Sequence, residues 1–451
     1  MQSVETYPAW QQVSAAAPAR SGIIAYLRAL TLVAWFASLV VNYWWRQNWD
    51  WFREFYEQDV NIRNQYLIGF GIALAGHLTL GAPAWFNAPF RALSSLPGKL
   101  FTLFCFFVFV TSPFSASMKT SGVYAAATWL TFLLCVLYWS SDYYVVRRVV
   151  VFSGLFLFAW LLALLVRFGL PYGFGVTGIG GINRNAIASV AMAAMICCTL
   201  SASRTIRWGG IAGCAFFALM VNSRGTIVAF GVYLAIYYTL HKGTIRAAWH
   251  AALGMFLVAS VLLASTYAKQ FLFEDVMRLS DPGRGLGSGL TGRVDTWKRG
   301  LETFWKSPLI GHGFRANLGG EQEGLWSHGG YVTLLIETGL IGTLLAVSIV
   351  VFEALRRMNR AGRLRNASAA AITGIDRQES LRLNTVACAT MATMLTYWIY
   401  EPLYLNLGTV MSVCFFLMLA APEFVNDRRA MISYGRYSGV PGPNPLGRFH
   451  G

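Results

Sequence analysis

Three arginines and one histidine stand in short polar segments between long apolar runs: Arg184 in GGINRNAIA, Arg224 in VNSRGTI, Arg293 in LTGRVDTW and His328 in LWSHGGY. Asn183-Arg184-Asn185 and Ser223-Arg224-Gly225 each open or join a helix. That placement sets backbone N–H groups and the positive helix end beside a guanidinium, a combination suited to phosphate. A single arginine at a helix end near a bilayer is an ordinary interfacial anchor. Three of them make an anion site worth expecting, and a polyprenyl diphosphate, with its head at the surface and its tail in lipid, is the natural anion. A histidine, with a reference pKa of about 6.5, could take a proton from a hydroxyl near neutral pH, although a lone histidine is more often a hydrogen-bonded interfacial residue.

The elements that position these groups must be membrane helices. Of the 451 residues 56% are hydrophobic and only 12% charged, against about 25% charged in soluble domains. The formal charge of +16 could point to nucleic acid, but the basic residues lie between apolar spans rather than on one polar domain, so topology and anionic lipid account for them and no nucleic acid is expected. The seven cysteines all fall inside apolar runs, which offers no disulfide framework and no zinc spacing. Glu274-Asp275 are adjacent and no D-x-D occurs, so no metal and no cofactor are expected.

Twelve stretches are long or apolar enough to read as spans: 23–43, 67–88, 100–113, 121–140, 149–167, 186–203, 208–222, 226–240, 247–267, 330–352, 385–401 and 404–421. Residues 1–22 are then a cytoplasmic segment before an uncleaved anchor, 23–267 hold nine spans, 268–329 form one long loop, and 330–421 hold three more spans. Residues 353–384 read as a basic cytoplasmic loop and 422–451 as a disordered cytoplasmic tail. Placing both termini in the cytoplasm puts twenty Lys and Arg inside, against seven in the short loops outside. That orientation assigns Arg184, Arg224, Arg293 and His328 to the exported face. Within the long loop Val294, Trp297, Leu301 and Phe304 recur at three- and four-residue steps, which predicts a short amphipathic helix opening beside Arg293 and ending before Ser307-Pro308.

From Thr291 to Gly342, R-x-x-x-W, then P-L-I-G-H-G-F, then H-G-G-Y-V-T-L-L-I-E-T-G-L-I-G resembles the shared signature of the O-antigen ligase and O-antigen polymerase family. The NRN and NSRG segments extend the likeness over most of the chain. One departure is that the family's usual Asn after the histidine is Gly329 here, so whatever that amide orients must be supplied otherwise. The resemblance implies an all-α integral membrane protein, GT-C-like, with about 12 transmembrane helices and one long periplasmic loop containing short helices. It further implies glycan transfer from an undecaprenyl-diphosphate-linked oligosaccharide at the outer face of the bacterial inner membrane, with His328 as base and Arg184, Arg224 and Arg293 on the diphosphate. Trp297 and Glu337 are expected to support the site rather than touch the substrate.

A polymerase of exopolysaccharide or O-antigen repeat units, with a chain-length regulator as further partner, is the leading reading. A ligase with a lipid A-core acceptor is the first alternative. A transporter is the reading from another class, but only Arg28 and His77 lie within predicted spans and away from their ends.

Overall fold

A computed structural model describes residues 22–45, 67–79, 88–140, 143–169, 179, 182–243, 293–316, 329–366, 374–401, 405, 407 and 409–422. All regular structure among them is helical. In chain order the helices are α1 (Gly22–Trp45), α2 (Leu67–Thr79), α3 (Ala88–Ala92), α4 (Leu96–Thr111), α5 (Met118–Trp139), α6 (Tyr143–Phe168), α7 (Arg184–Thr199), α8 (Arg204–Met220), α9 (Arg224–Lys242), α10 (Arg293–Phe304), α11 (Gly330–Asn366), α12 (Gly374–Tyr400) and α13 (Val410–Leu419). The described parts of the apolar stretches expected to cross the bilayer fall mostly on these helices; 247–267, residues 80–87 of 67–88, and residues 404, 406 and 408 of 404–421 lie outside the described residues. Among the described residues four helical stretches, Leu96–Phe114, Met118–Trp139, Tyr143–Phe168 and Gly330–Asn366, are long and apolar enough to cross a membrane. This is a helical membrane protein.

Helix α7 sits at the centre, packed against α6, α8 and α13, and every residue from Ile187 to Thr199 is buried. Its Ala, Ser and Cys side chains let neighbouring backbones come close, as packing inside lipid demands. Its polar residues leave nothing stranded: Ser189 donates to the Ala186 carbonyl at 2.8 Å, and Thr199 donates to that of Ile196 at 2.8 Å and meets the Tyr233 hydroxyl at 2.6 Å. His77 is buried likewise, with Nδ1 3.0 Å from the Ala73 carbonyl and its ring edge-on to Tyr138.

The basic segment 353–384 is largely helical, with α11 running on to Asn366 and α12 beginning at Gly374. The sequence reading ended the spans at 352 and 385 because charges interrupt the apolar run. Several of these charges are instead paired in place. Arg357, fully buried, bonds Glu353 at 2.6 Å, Asn384 at 3.1 Å and the Pro422 carbonyl at 2.9 Å, while Glu379 bonds Arg382 at 2.8 Å and pairs with Arg147.

Helix α11 is broken at Gly339, whose φ of 63° is left-handed. A break inside an apolar bundle strands carbonyls before it and N–H groups after it, each costly to leave unpaired. The Pro308–Gly313 loop supplies both. The N–H groups of His312 and Gly313 donate to the carbonyls of Ile336 and Glu337 at 2.8 and 2.9 Å, while Leu340 and Ile341 donate to those of Pro308 and Leu309 at 2.8 and 3.3 Å. The approach is so close that a Cβ at Gly311 would lie 2.5 Å from the Gly339 nitrogen, and one at Gly339 would overlap the Leu309 carbonyl. Thus P-L-I-G-H-G-F and E-T-G-L-I-G, 23 or more residues apart in sequence, form one backbone splice.

Candidate active site

Four helix ends meet where α12 stops. Helix α7 starts at Arg184, capped by Asn183, whose side chain accepts from the Asn185 N–H at 2.8 Å. Helix α9 starts at Arg224 after a turn in which Asn222 takes a φ of 49°, a left-handed conformation that asparagine tolerates better than most side chains. The start of α11 lies against the end of α12: a Cβ at Gly330 would be 3.1 Å from the Trp398 Cα and from the Trp398 and Glu401 carbonyl oxygens. Tyr331 then donates to the Leu395 carbonyl at 2.9 Å and packs edge-on against Trp398. Gly225 approaches Tyr400 in the same way, with 3.2 Å from a hypothetical Cβ to the tyrosine Cβ.

Side-chain hydrogen bonds tie these ends together. Asn185 donates through Nδ2 to Glu401 Oε1 at 2.7 Å and accepts at Oδ1 from the Ser223 hydroxyl at 3.0 Å. Ser223 is 2.9 Å from the Thr226 hydroxyl, which in turn bonds that of Tyr397. Glu401 is the single acidic residue between Arg382 and Glu423 and precedes Pro402, which ends the helix.

Gly329 has a steric reason. A Cβ there would stand 2.8 Å from Trp297 Nε1, inside any ordinary contact. The indole of α10 fills the space that a side chain at 329 would need, and its buried N–H has no hydrogen-bond partner among the described residues.

Of the residues singled out from sequence, the structure joins the starts of α7 and α9, so Arg184 and Arg224 begin helices that are bonded to each other. Both side chains are half-buried. Arg293 is the first residue of α10, as the periodicity predicts, and its side chain lies outside the described residues, as does His328 entirely. Trp297 stands beside Gly329, the residue after His328. Glu337 lies two turns further along α11, about 10 Å by helical rise. It is buried at the splice and accepts from the Arg315 backbone N–H. No group of three or more His, Cys, Asp or Glu that could hold a metal occurs among the described residues.

Reading single segments missed Tyr397 and Glu401, and missed the bonding role of Asn185 and Ser223. The signal for Glu401 was a carboxylate at a helix stop in otherwise uncharged sequence; Asn185 and Ser223 lie in the NRN and NSRG segments beside the arginines, and Tyr397 carries none.

The O-antigen ligase family model matches residues 209–347, from within α8 to the middle of α11. This segment, less than a third of the chain, is similar to the O-antigen ligase family. The family segment contains Arg224, Arg293, Trp297, His328 and Glu337, whereas Asn185 and Glu401 reach its residues only through tertiary contacts. The exopolysaccharide production protein ExoQ of Rhizobium meliloti (strain 1021) is 27% identical over 173 residues, 34% of this chain. The match covers 40% of that relative's own length.

Proposed function

We propose that the protein is a membrane glycosyltransferase that takes an undecaprenyl-diphosphate-linked glycan as donor and joins repeat units of an exopolysaccharide or O-antigen at the periplasmic face of the inner membrane. In this reading the chain crosses the membrane about twelve times with both termini cytoplasmic, and a chain-length regulator is a further partner. The observation that carries it is the pairing of two arginine-led helix N-termini through Asn185 and Ser223 at 3.0 Å. Two N-terminal dipoles at one place, each helix led by an arginine, suit a diphosphate better than a single phosphate.

The chemistry follows from that charge. The acceptor hydroxyl attacks the anomeric carbon, the bond from that carbon to the diphosphate oxygen breaks, and the electron pair leaves on the diphosphate. Arg184, Arg224 and Arg293 stabilise the growing negative charge, which a preorganised site does better than water. His328 takes the hydroxyl proton. Trp297 packs beside Gly329, the residue that follows the histidine.

The likeness to an exopolysaccharide production protein favours the polymerase over the ligase. Deleting the gene and analysing the lipid-linked glycans separates the two. The polymerase reading expects single repeat units on the lipid; finished polymer accumulating on the lipid would make the protein a ligase acting on lipid A-core. Unchanged glycans would remove both.

A further inference from the structure

The hydrogen bonds at the end of α12 form a closed circuit with a fixed direction. A carboxylate only accepts, so Asn185 must present its NH2 to Glu401 and its oxygen to Ser223. Ser223 spends its one proton on Asn185, so it accepts from Thr226. Thr226 has then spent its own, so it accepts from Tyr397. The donors run Tyr397, Thr226, Ser223, Asn185, and the chain ends on Glu401, one helical turn from where it began. The Glu401 N–H closes that turn on the Tyr397 carbonyl at 2.8 Å.

We infer that Glu401 and Asn185 are positioning residues, holding the α7 and α9 N-termini in register so that Arg184 and Arg224 grip one diphosphate together. The inference rests on the donor-binding reading above. Three observations carry it. First, the circuit starts on α12, finishes on the residue that follows it, and passes otherwise only through the starts of the two helices that begin with these arginines. Second, Asn185 directly follows Arg184, and Ser223 directly precedes Arg224, so one 3.0 Å bond fixes the spacing of the two guanidinium-bearing backbones. Third, the circuit is anchored at its dry end: Thr226 and Tyr397 are fully buried, while Asn185 and Glu401 are half-buried at the open end. Bonds that polarise each other in a low-dielectric interior strengthen together, so the register is held by the whole circuit rather than by one contact.

The circuit's chemistry also says which replacement should be tolerated. Asn185 needs an acceptor at 401, not a charge, and the carbonyl oxygen of a glutamine at 401 can accept the same bond. Purified protein in lipid nanodiscs is assayed for consumption of the lipid-linked glycan isolated from the deletion strain, over a range of donor concentrations. Asn185→Ala and Glu401→Ala should each raise the donor KM about tenfold, with the double variant no worse than either single one. Glu401→Gln should stay within a few-fold of the parent with its pH profile unchanged. Tyr397→Phe, which keeps the ring and removes the first donor, should give a smaller rise in the same direction, and serves if an alanine variant fails to accumulate. Glu401→Gln as inactive as Glu401→Ala would overturn the positioning role, because the charge itself would then be needed. Normal donor KM in Asn185→Ala and Glu401→Ala, alongside a loss in Arg184→Ala and Arg224→Ala, would sink the circuit and leave the diphosphate site standing. Normal donor consumption in both arginine variants would sink the donor-binding reading itself.

Discussion

The two ends of α12 solve the problem of burying polar groups in opposite ways. At its start, carboxylates are met by guanidinium groups: Glu379 by Arg382 and Arg147, and, on neighbouring α11, Glu353 by Arg356 at 2.7 Å and Arg357 at 2.6 Å. Spare N–H groups go to backbone carbonyls, as when Arg377 takes those of Leu364 and Arg365 at 2.7 and 2.6 Å. At its finish, Glu401 is met by an amide backed by three hydroxyls. The first arrangement spends positive charge on holding the bundle closed. The second holds helix ends in register through an amide and hydroxyls.

The contrast predicts that variants at the two ends fail differently. The largest effect belongs to Arg357→Ala, which leaves Glu353 charged in a dry site without its closest partner. Such a loss costs about 3–5 kcal/mol, so the protein should be depleted from membranes whatever its activity. Normal abundance and an unshifted thermal transition in detergent would show that this network does not hold the bundle.

Next is Arg224→Ala at the opposite end, where polymer should disappear while the protein stays at normal abundance. The lost charge-assisted contact is worth about 1.5–3 kcal/mol of donor binding, and Arg224→Lys should recover little because the two-pronged geometry is gone. Depletion comparable to Arg357→Ala would mean that the two ends are alike and that Arg224 is structural.

The smallest effect tests the junction of α10 with the turn after His328. Gly329→Ala must push the Trp297 ring edge aside, and overpacking of this kind costs about 1 kcal/mol at the low end of its range. The unfolding temperature should fall by a few degrees in that variant, and should largely recover when Trp297→Phe is added to remove the offending Nε1. A drop that Trp297→Phe leaves untouched would place the clash elsewhere.

Much of the helical architecture is readable from composition and periodicity, because a chain in lipid must satisfy its backbone within helices and long apolar stretches show where. The amphipathic spacing of Val294, Trp297, Leu301 and Phe304 marks α10 nearly to the residue. The extension of α11 and α12 through the basic segment was hidden, since each arginine read singly looks like a loop charge and only its partner shows it to be core. P-L-I-G-H-G-F reads as one part of the loop motif, and Glu337 as a residue that supports the site. That the turn repairs the break at Gly339 depends on two backbones meeting at 2.8 to 3.3 Å, about which residue types say nothing beyond the glycines.

Sequence by itself determined that this chain is a bundle of membrane helices, that its phosphate-suited arginines open helices, and that its loop motif resembles that of a glycan-transferring family. These are local properties: helical period, capping residues and the spacing of a few side chains along one strand of polymer. Only the tertiary structure decided that Arg184 and Arg224 start helices bonded to one another, that Trp297 occupies the space beside Gly329, and that Glu401, 216 residues beyond Asn185, ends the circuit between them. A hydrogen bond acts over about 3 Å, and which side chains come that close is set by how whole helices pack, not by any pattern in their own neighbourhood.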